Sequence, residues 1–170
     1  TNHLINSIAI SPDGRYILEA RGHHLYLFDV DGRQLKLFPR TSAKIRSLAF
    51  SPDGKHVLAG KHKSRKPLTS WNLAAIETTD FQYIDGYASG LVFSPDGQSL
   101  LVIGVSTHAL RLLDLSGTEL QNFQIPYEEG SVKAAAFTPD GQHVVAAIIG
   151  YQQSTVRIWN MEGTEERRFN

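Results

Sequence analysis

The chain contains no cysteine, and that absence excludes disulfides, thiolate zinc sites and cysteine nucleophiles together. Net charge is missing as well, because seventeen basic and seventeen acidic side chains cancel. No overall field therefore draws the molecule onto nucleic acid or an acidic membrane, and nucleic acid is disfavoured as a partner. No apolar run approaches the length of a membrane span. The first residues, Thr1-Asn2-His3, carry neither a charged leader nor an apolar stretch behind it, and no initiator methionine. The expectation is a piece of something longer or a processed product. Helix-period apolar segments of useful length are lacking too. What is present is 170 residues, 41% of them hydrophobic, enough to bury a core in about one globular domain.

One turn is written four times: Ser11-Pro12-Asp13-Gly14 returns as Ser51 to Gly54, as Ser94 to Gly97 and, with one change, as Thr138 to Gly141. Proline presets φ for a type I turn, aspartate can bond its own backbone, and glycine accepts positive φ, so each copy predicts a hairpin. Each separates two short apolar runs, such as Leu48 to Phe50 and His56 to Ala59. The copies lie 40, 43 and 44 residues apart, the spacing of stacked supersecondary units. In the first unit the pattern predicts strands over Asn6 to Ile10, Tyr16 to Ala20, Leu25 to Val30 and Gln34 to Phe38. Strand three recurs with an apolar or aromatic residue before Asp or Asn: Phe28-Asp29, Trp71-Asn72, Leu113-Asp114 and Trp159-Asn160. Strands one and two are apolar on both faces while strand four mixes in charge, so the inner strands should be sandwiched and the outer one wet. Radial repetition, as in a β-propeller, accounts for that pattern better than a two-sheet sandwich.

Ala49-Phe50-Ser51-Pro52-Asp53-Gly54 and Val156-Arg157-Ile158-Trp159-Asn160 resemble the WD-repeat β-propeller family, over all four units. The resemblance implies an all-β fold of four four-stranded antiparallel blades, spanning about residues 1–39, 40–84, 85–126 and 127–170 of one domain. Asn replaces the family's Asp in the second and fourth units, and the Gly-His dipeptide ahead of strand one is replaced by Arg40-Thr41 and Tyr127-Glu128. The buried Ser-His-Asp network of strong members is therefore not carried over. Four blades fall short of the family's usual seven or so, and no spare strand shares a blade between the two ends. An open or partial ring is expected, exposing apolar positions such as Ile8, Ile10, Ala136 and Phe137 to the remaining blades or a second copy.

Chemistry is sparse. His56 and His143 share a slot that holds Tyr16 and Ser99 in the other units, which reads as a strand edge rather than a ligand pair. His23-His24 and His108 fall between strands two and three and read as solvated. No Gly-x-Ser-x-Gly elbow, Walker lysine or glycine-rich phosphate loop occurs. Glu128-Glu129 and Glu165-Glu166 read as surface pairs, since neighbouring residues diverge along a strand. Neither catalysis, cofactor nor metal is expected.

The local charge feature is Lys61-His62-Lys63-Ser64-Arg65-Lys66, four formal positive charges in six residues. It reads either as a solvated loop or as a grip on phosphate groups through Lys61, Lys63, Arg65 and Lys66. In the propeller family, the loops between strands two and three and those linking blades share the face where partners dock. Tyr87, Tyr127 and Tyr151 fall in such loops and suit an interface, or cap the core locally. The reading is a non-catalytic, cytoplasmic scaffold or sensor that binds a protein partner. The alternatives are the regulatory part of a larger kinase or peptidase and a phosphate-rich ligand binder.

Overall fold

The computed structural model describes residues 4–64, 67–74, 78–81, 88–104, 110–150 and 153–170. Four antiparallel four-stranded meanders account for the chain, each the blade unit of a propeller. The first holds β1 (Ile5–Ile10), β2 (Tyr16–Arg21), β3 (His24–Asp29) and β4 (Gln34–Leu37). The second holds β5 (Ile45–Phe50), β6 (His56–Lys61), β7 (Leu68–Asn72) and β8 (Thr78–Phe81). The third holds β9 (Ala88–Phe93), β10 (Ser99–Gly104), β11 (Leu110–Asp114) and β12 (Glu119–Phe123). The fourth holds β13 (Ser131–Phe137), β14 (His143–Ile149), β15 (Ser154–Asn160) and β16 (Glu165–Phe169). The helical element among the described residues is a single 3-10 turn, Tyr127–Glu129, in the linker before β13.

The four turns form as their residues dictate. Gly14, Gly54, Gly97 and Gly141 sit at φ of 69 to 72°, where any other residue would be strained. The first turn approaches the second and the third approaches the fourth: a Cβ on Gly54 would stand 3.8 Å from Cδ of Pro12, and one on Gly141 3.7 Å from Cδ of Pro95.

The chain divides into two compact units, residues 1–91 and 92–170. Each buries its own core. In the first, Leu18, Leu25, Ile45, Val57 and Trp71 pack together. In the second, Leu101, Leu110, Phe123, Val144 and Trp159 do so. The two tryptophans take corresponding places on strand three, and each meets a phenylalanine just past or at the end of the preceding sheet's fourth strand. Phe38 and Trp71 have ring centroids 5.7 Å apart, Phe123 and Trp159 5.9 Å.

The sandwiching of the inner strands is uneven. β5 is buried along most of its length, whereas β1 and β13 are largely exposed. Ala9 of β1 faces the first core, while the alternating Ile8 and Ile10 are each 62% exposed. Ala136 is exposed and Phe137 half-buried.

Candidate interaction surface

In an antiparallel meander the connections alternate between two ends of the sheet. One end carries the Pro-Asp-Gly turn and the turn between strands three and four. The other carries the incoming linker and the loop between strands two and three.

At the first end the polar groups are consumed locally. Ser11 Oγ donates to Asp13 Oδ1 (2.6 Å) and accepts from the Tyr16 N–H (2.9 Å), while Asp13 Oδ1 also accepts from the Arg15 N–H (3.0 Å). Ser51 with Asp53, Ser94 with Asp96 and Thr138 with Asp140 repeat the arrangement. The hydroxyl bond, and after it the backbone N–H, hold all four carboxyls below the ordinary aspartate value. In the second turn Asp29, Asp114 and Asn160 accept from the N–H of Arg33 (2.8 Å), Thr118 (2.9 Å) and Thr164 (2.9 Å). The turn needs an oxygen acceptor and no charge, which is why asparagine serves where the resemblance expects aspartate.

The other end is different in each unit. In the first, the N–H of His62 donates to the Lys44 carbonyl (2.8 Å). Burial, then the charges of Arg46, Lys63 and Lys44, hold the imidazole below its ordinary value, so it is neutral at pH 7. Lys44, Arg46 and Lys63 are exposed, and none has an ion-pair partner among the described residues. Lys63 lies at φ 50°, the left-handed region that sets a sharp turn. Lys61 departs from the sequence reading: it closes β6 opposite Ile45 and is 2% exposed. The ladder runs past Ala59 and carries that lysine inward. The surface cluster thus loses Lys61 and gains Lys44 and Arg46, which lie seventeen and fifteen positions earlier than Lys61 and which no local charge run advertised. Arg65, Lys66, Tyr87, Tyr151 and His108 lie outside the described residues.

In the second unit a ring of alternating charges runs from the linker along β15 to the start of β16. Arg157 of β15 donates to Glu129 of the linker and, at 3.4 Å, to Glu165 of β16. Arg168 donates to Glu129 at 3.1 Å and to both oxygens of Glu165 at 2.8 and 3.1 Å. Burial first, then Arg168, pull Arg157 below its ordinary value. The Arg168 bonds hold Glu165 below the usual carboxylate value. The expectation that Glu128-Glu129 and Glu165-Glu166 are only surface pairs is therefore corrected. One member of each pair turns onto a guanidinium, because register sets Arg157 opposite Arg168 and the linker delivers Glu129 between them. The outer members behave otherwise: Glu128 is exposed, and Glu166 lies 3.2 Å from His143 Nε2.

Beside this ring lies a cleft of about 730 Å³, with Tyr127, Glu128 and Glu129 along the linker side. Gln153, Thr155, Arg157 and Arg168 contribute from β15, its approach and β16. The linker is tightly seated. A Cβ on Gly130, at φ 115°, would collide with the Ile149 carbonyl, and one on Gly150 would come within 2.7 Å of the Glu129 carbonyl oxygen. Tyr127 is 62% exposed and stands in the linker turn before β13.

Among the described residues no three His, Asp or Glu side chains gather as metal ligands. His23 is not a bare loop residue, since its Nδ1 lies 3.1 Å from the Thr41 carbonyl, and His24 opens β3 instead of preceding it. Thr41, one of the residues standing where the resemblance expects Gly-His, braces the linker by placing its single Oγ1–H between the carbonyls of His23 (2.9 Å) and Ala43 (2.8 Å). No helix among the described residues is long and apolar enough to cross a membrane.

The family described as "WD domain, G-beta repeat" matches residues 32–65 and 117–160. Among solved structures, the chain is similar to Kuenenia stuttgartiensis hydrazine synthase, with a TM-score of 0.78 at 17% identity over 95% of this chain. It spans about half of that protein, 52% of its length. At that identity the likeness concerns the fold alone. No curated protein matches the sequence.

Proposed function

From the match of residues 32–65 and 117–160 to the WD-repeat family, we propose that the chain is a WD-repeat, non-catalytic interaction module, a scaffold or sensor that docks a partner protein on the linker end of its sheets. Repeats of this family generally mediate protein interactions. The observation that carries the reading is the contrast between the two ends. Serine, threonine and aspartate of the Pro-Asp-Gly turns bond one another, whereas the opposite end differs from unit to unit and presents exposed Lys44, Arg46, Lys63 and Tyr127. Rigid sheets holding variable loops are the usual basis of specific recognition. A cytoplasmic setting goes with this reading, because strand one closes on Ile10, Phe50, Phe93 or Phe137 and not on the tryptophan of periplasmic propeller repeats.

The test is affinity purification with paired charge reversals. Changing Lys44, Arg46 and Lys63 to glutamate together should remove a bound partner, while reversing Arg15 and Lys55 at the turn end should leave it. Equal loss from both ends would defeat the reading.

A second reading is favoured by the gathering of Lys44 and Arg46 with Lys63 about His62. Three exposed cations with no carboxylate partner among the described residues suit a phosphate-rich ligand or an acidic segment of the partner. Binding of inositol hexakisphosphate that weakens with salt and disappears in the triple glutamine variant would support it.

A further inference from the structure

The geometry points to the cleft at Tyr127–Glu129 as a pocket for one basic side chain, lysine or arginine, of a partner polypeptide. This rests on the reading of the linker end as the docking surface and names the chemistry of one contact on it.

The charges decide the sign of the occupant. Arg157 and Arg168 are already met by Glu129 and Glu165. Glu128 is exposed and has no ion pair among the described residues, so it is the carboxylate with charge left to offer. It is adjacent in the chain to Tyr127, whose ring is largely exposed, and both line the cleft. A carboxylate beside an aromatic face is the chemistry that holds ammonium and guanidinium groups. An anion would have to displace Glu129, whose backbone is wedged against Gly150, and would meet the charge of Glu128 as well.

A second observation requires more than a bare cation. Arg157 lines the cleft at 2% exposure, and its Nε–H has no acceptor among the described residues. A buried donor left unpaired is costly, and an incoming oxygen relieves the cost. A peptide carbonyl flanking the basic side chain supplies that oxygen, which makes the occupant a residue within a polypeptide and not a free amine. The cleft volume lies within the roughly 300–1,000 Å³ of small-ligand sites. The close approach of Gly130 and Gly150 fixes the linker beforehand, so little ordering is left for binding to impose.

The experiment is a titration of the ¹⁵N-labelled full chain with the capped peptide acetyl-Ser-Ala-Arg-Ala-Ser-amide, its central-glutamate counterpart, and arginine amide. The arginine peptide should shift the amides of Glu128 and Glu129 and the Nε–H of Arg157. Glu128→Gln and Tyr127→Ala, both at exposed positions, should each weaken it about fivefold, and Lys55→Gln should leave it unchanged. A stronger response to the glutamate peptide, or undiminished binding by Glu128→Gln, would overturn the proposal. Arginine amide binding as tightly as the peptide would overturn its polypeptide part. Partner loss through Lys44, Arg46 and Lys63 is read separately, so failure of this pocket and failure of the docking reading are distinguishable.

Discussion

The linker end of the second sheet and that of the fourth are built from the same two connections, yet they use their cations in opposite ways. Around His62, three cations stand in water with no carboxylate paired to them among the described residues, and their mutual repulsion is tolerated because solvent and salt screen it. Around Arg157, two cations are wrapped by Glu129 and Glu165, and one of them is buried. Placement explains the difference. Lys44 and Lys63 sit in connections, so their side chains reach solvent, whereas Arg157 sits in the third strand and turns into the sheet face. A buried guanidinium must be paired, because desolvating a charge costs more than surface repulsion does. In the first unit the charge faces solvent; in the second it holds the linker in place.

The widest expected gap follows from that contrast. Arg157→Ala should destabilise the chain by about 3 kcal/mol, since it leaves two carboxylates beside an emptied site. Lys44→Ala, Arg46→Ala and Lys63→Ala should each stay within about 0.5 kcal/mol. Urea denaturation of the four variants reads both numbers, and a similar cost for Arg157 and the lysines would erase the distinction. Next in size, Gly150→Ala should cost about 2 kcal/mol by driving a Cβ onto the carbonyls of Gln153 and Glu129. Gly14→Ala meets nothing within 4 Å and should cost about 1 kcal/mol, from its positive φ alone. Thermal melts of the two side by side show whether the linker is as firmly seated as the contacts imply.

Acid should act on both units, but more widely on the second. The depressed carboxyls of Asp13, Asp53, Asp96 and Asp140 favour the folded state above their unfolded value, 3.8. That contribution is lost as pH falls through their lower folded values. Glu165, depressed from 4.5, adds the same dependence to the second unit and releases Arg168 and Arg157 as it protonates. Hydrogen exchange at falling pH should therefore show strands β15 and β16 losing protection ahead of β6 and β7; simultaneous loss would count against the ion ring. The smallest effect concerns His62, held below 6.5 by burial and its three cationic neighbours. A polyanion bound there should raise its titration midpoint, by an amount NMR can follow; an unchanged midpoint would count against the cluster as an anion site.

The periodic features were legible because a turn is a local event. Pro-Asp-Gly fixes its own backbone, and strand boundaries fall within a residue or two of the alternation read from the chain, with Leu25 to Val30 realised as His24–Asp29. Tyr127 was also placed correctly at the linker end, since it stands in the run between two unmistakable strands. The charge ring was not legible: the pairings among Glu129, Glu165, Arg157 and Arg168 span 3, 8, 28 and 39 positions, and no run or motif connects them. Lys61 misled for the complementary reason. A cluster of like charge reads as a loop, but a strand extended to meet Ile45 draws its last side chain inside.

Sequence alone determined the four repeats, the antiparallel meander of each and the absence of thiol chemistry, all of which depend on residues within a few positions of one another or on composition. Tertiary structure decided which cations face water and which are paired, because burial and pairing depend on neighbours that the strand register and the linker bring together from distant parts of the chain.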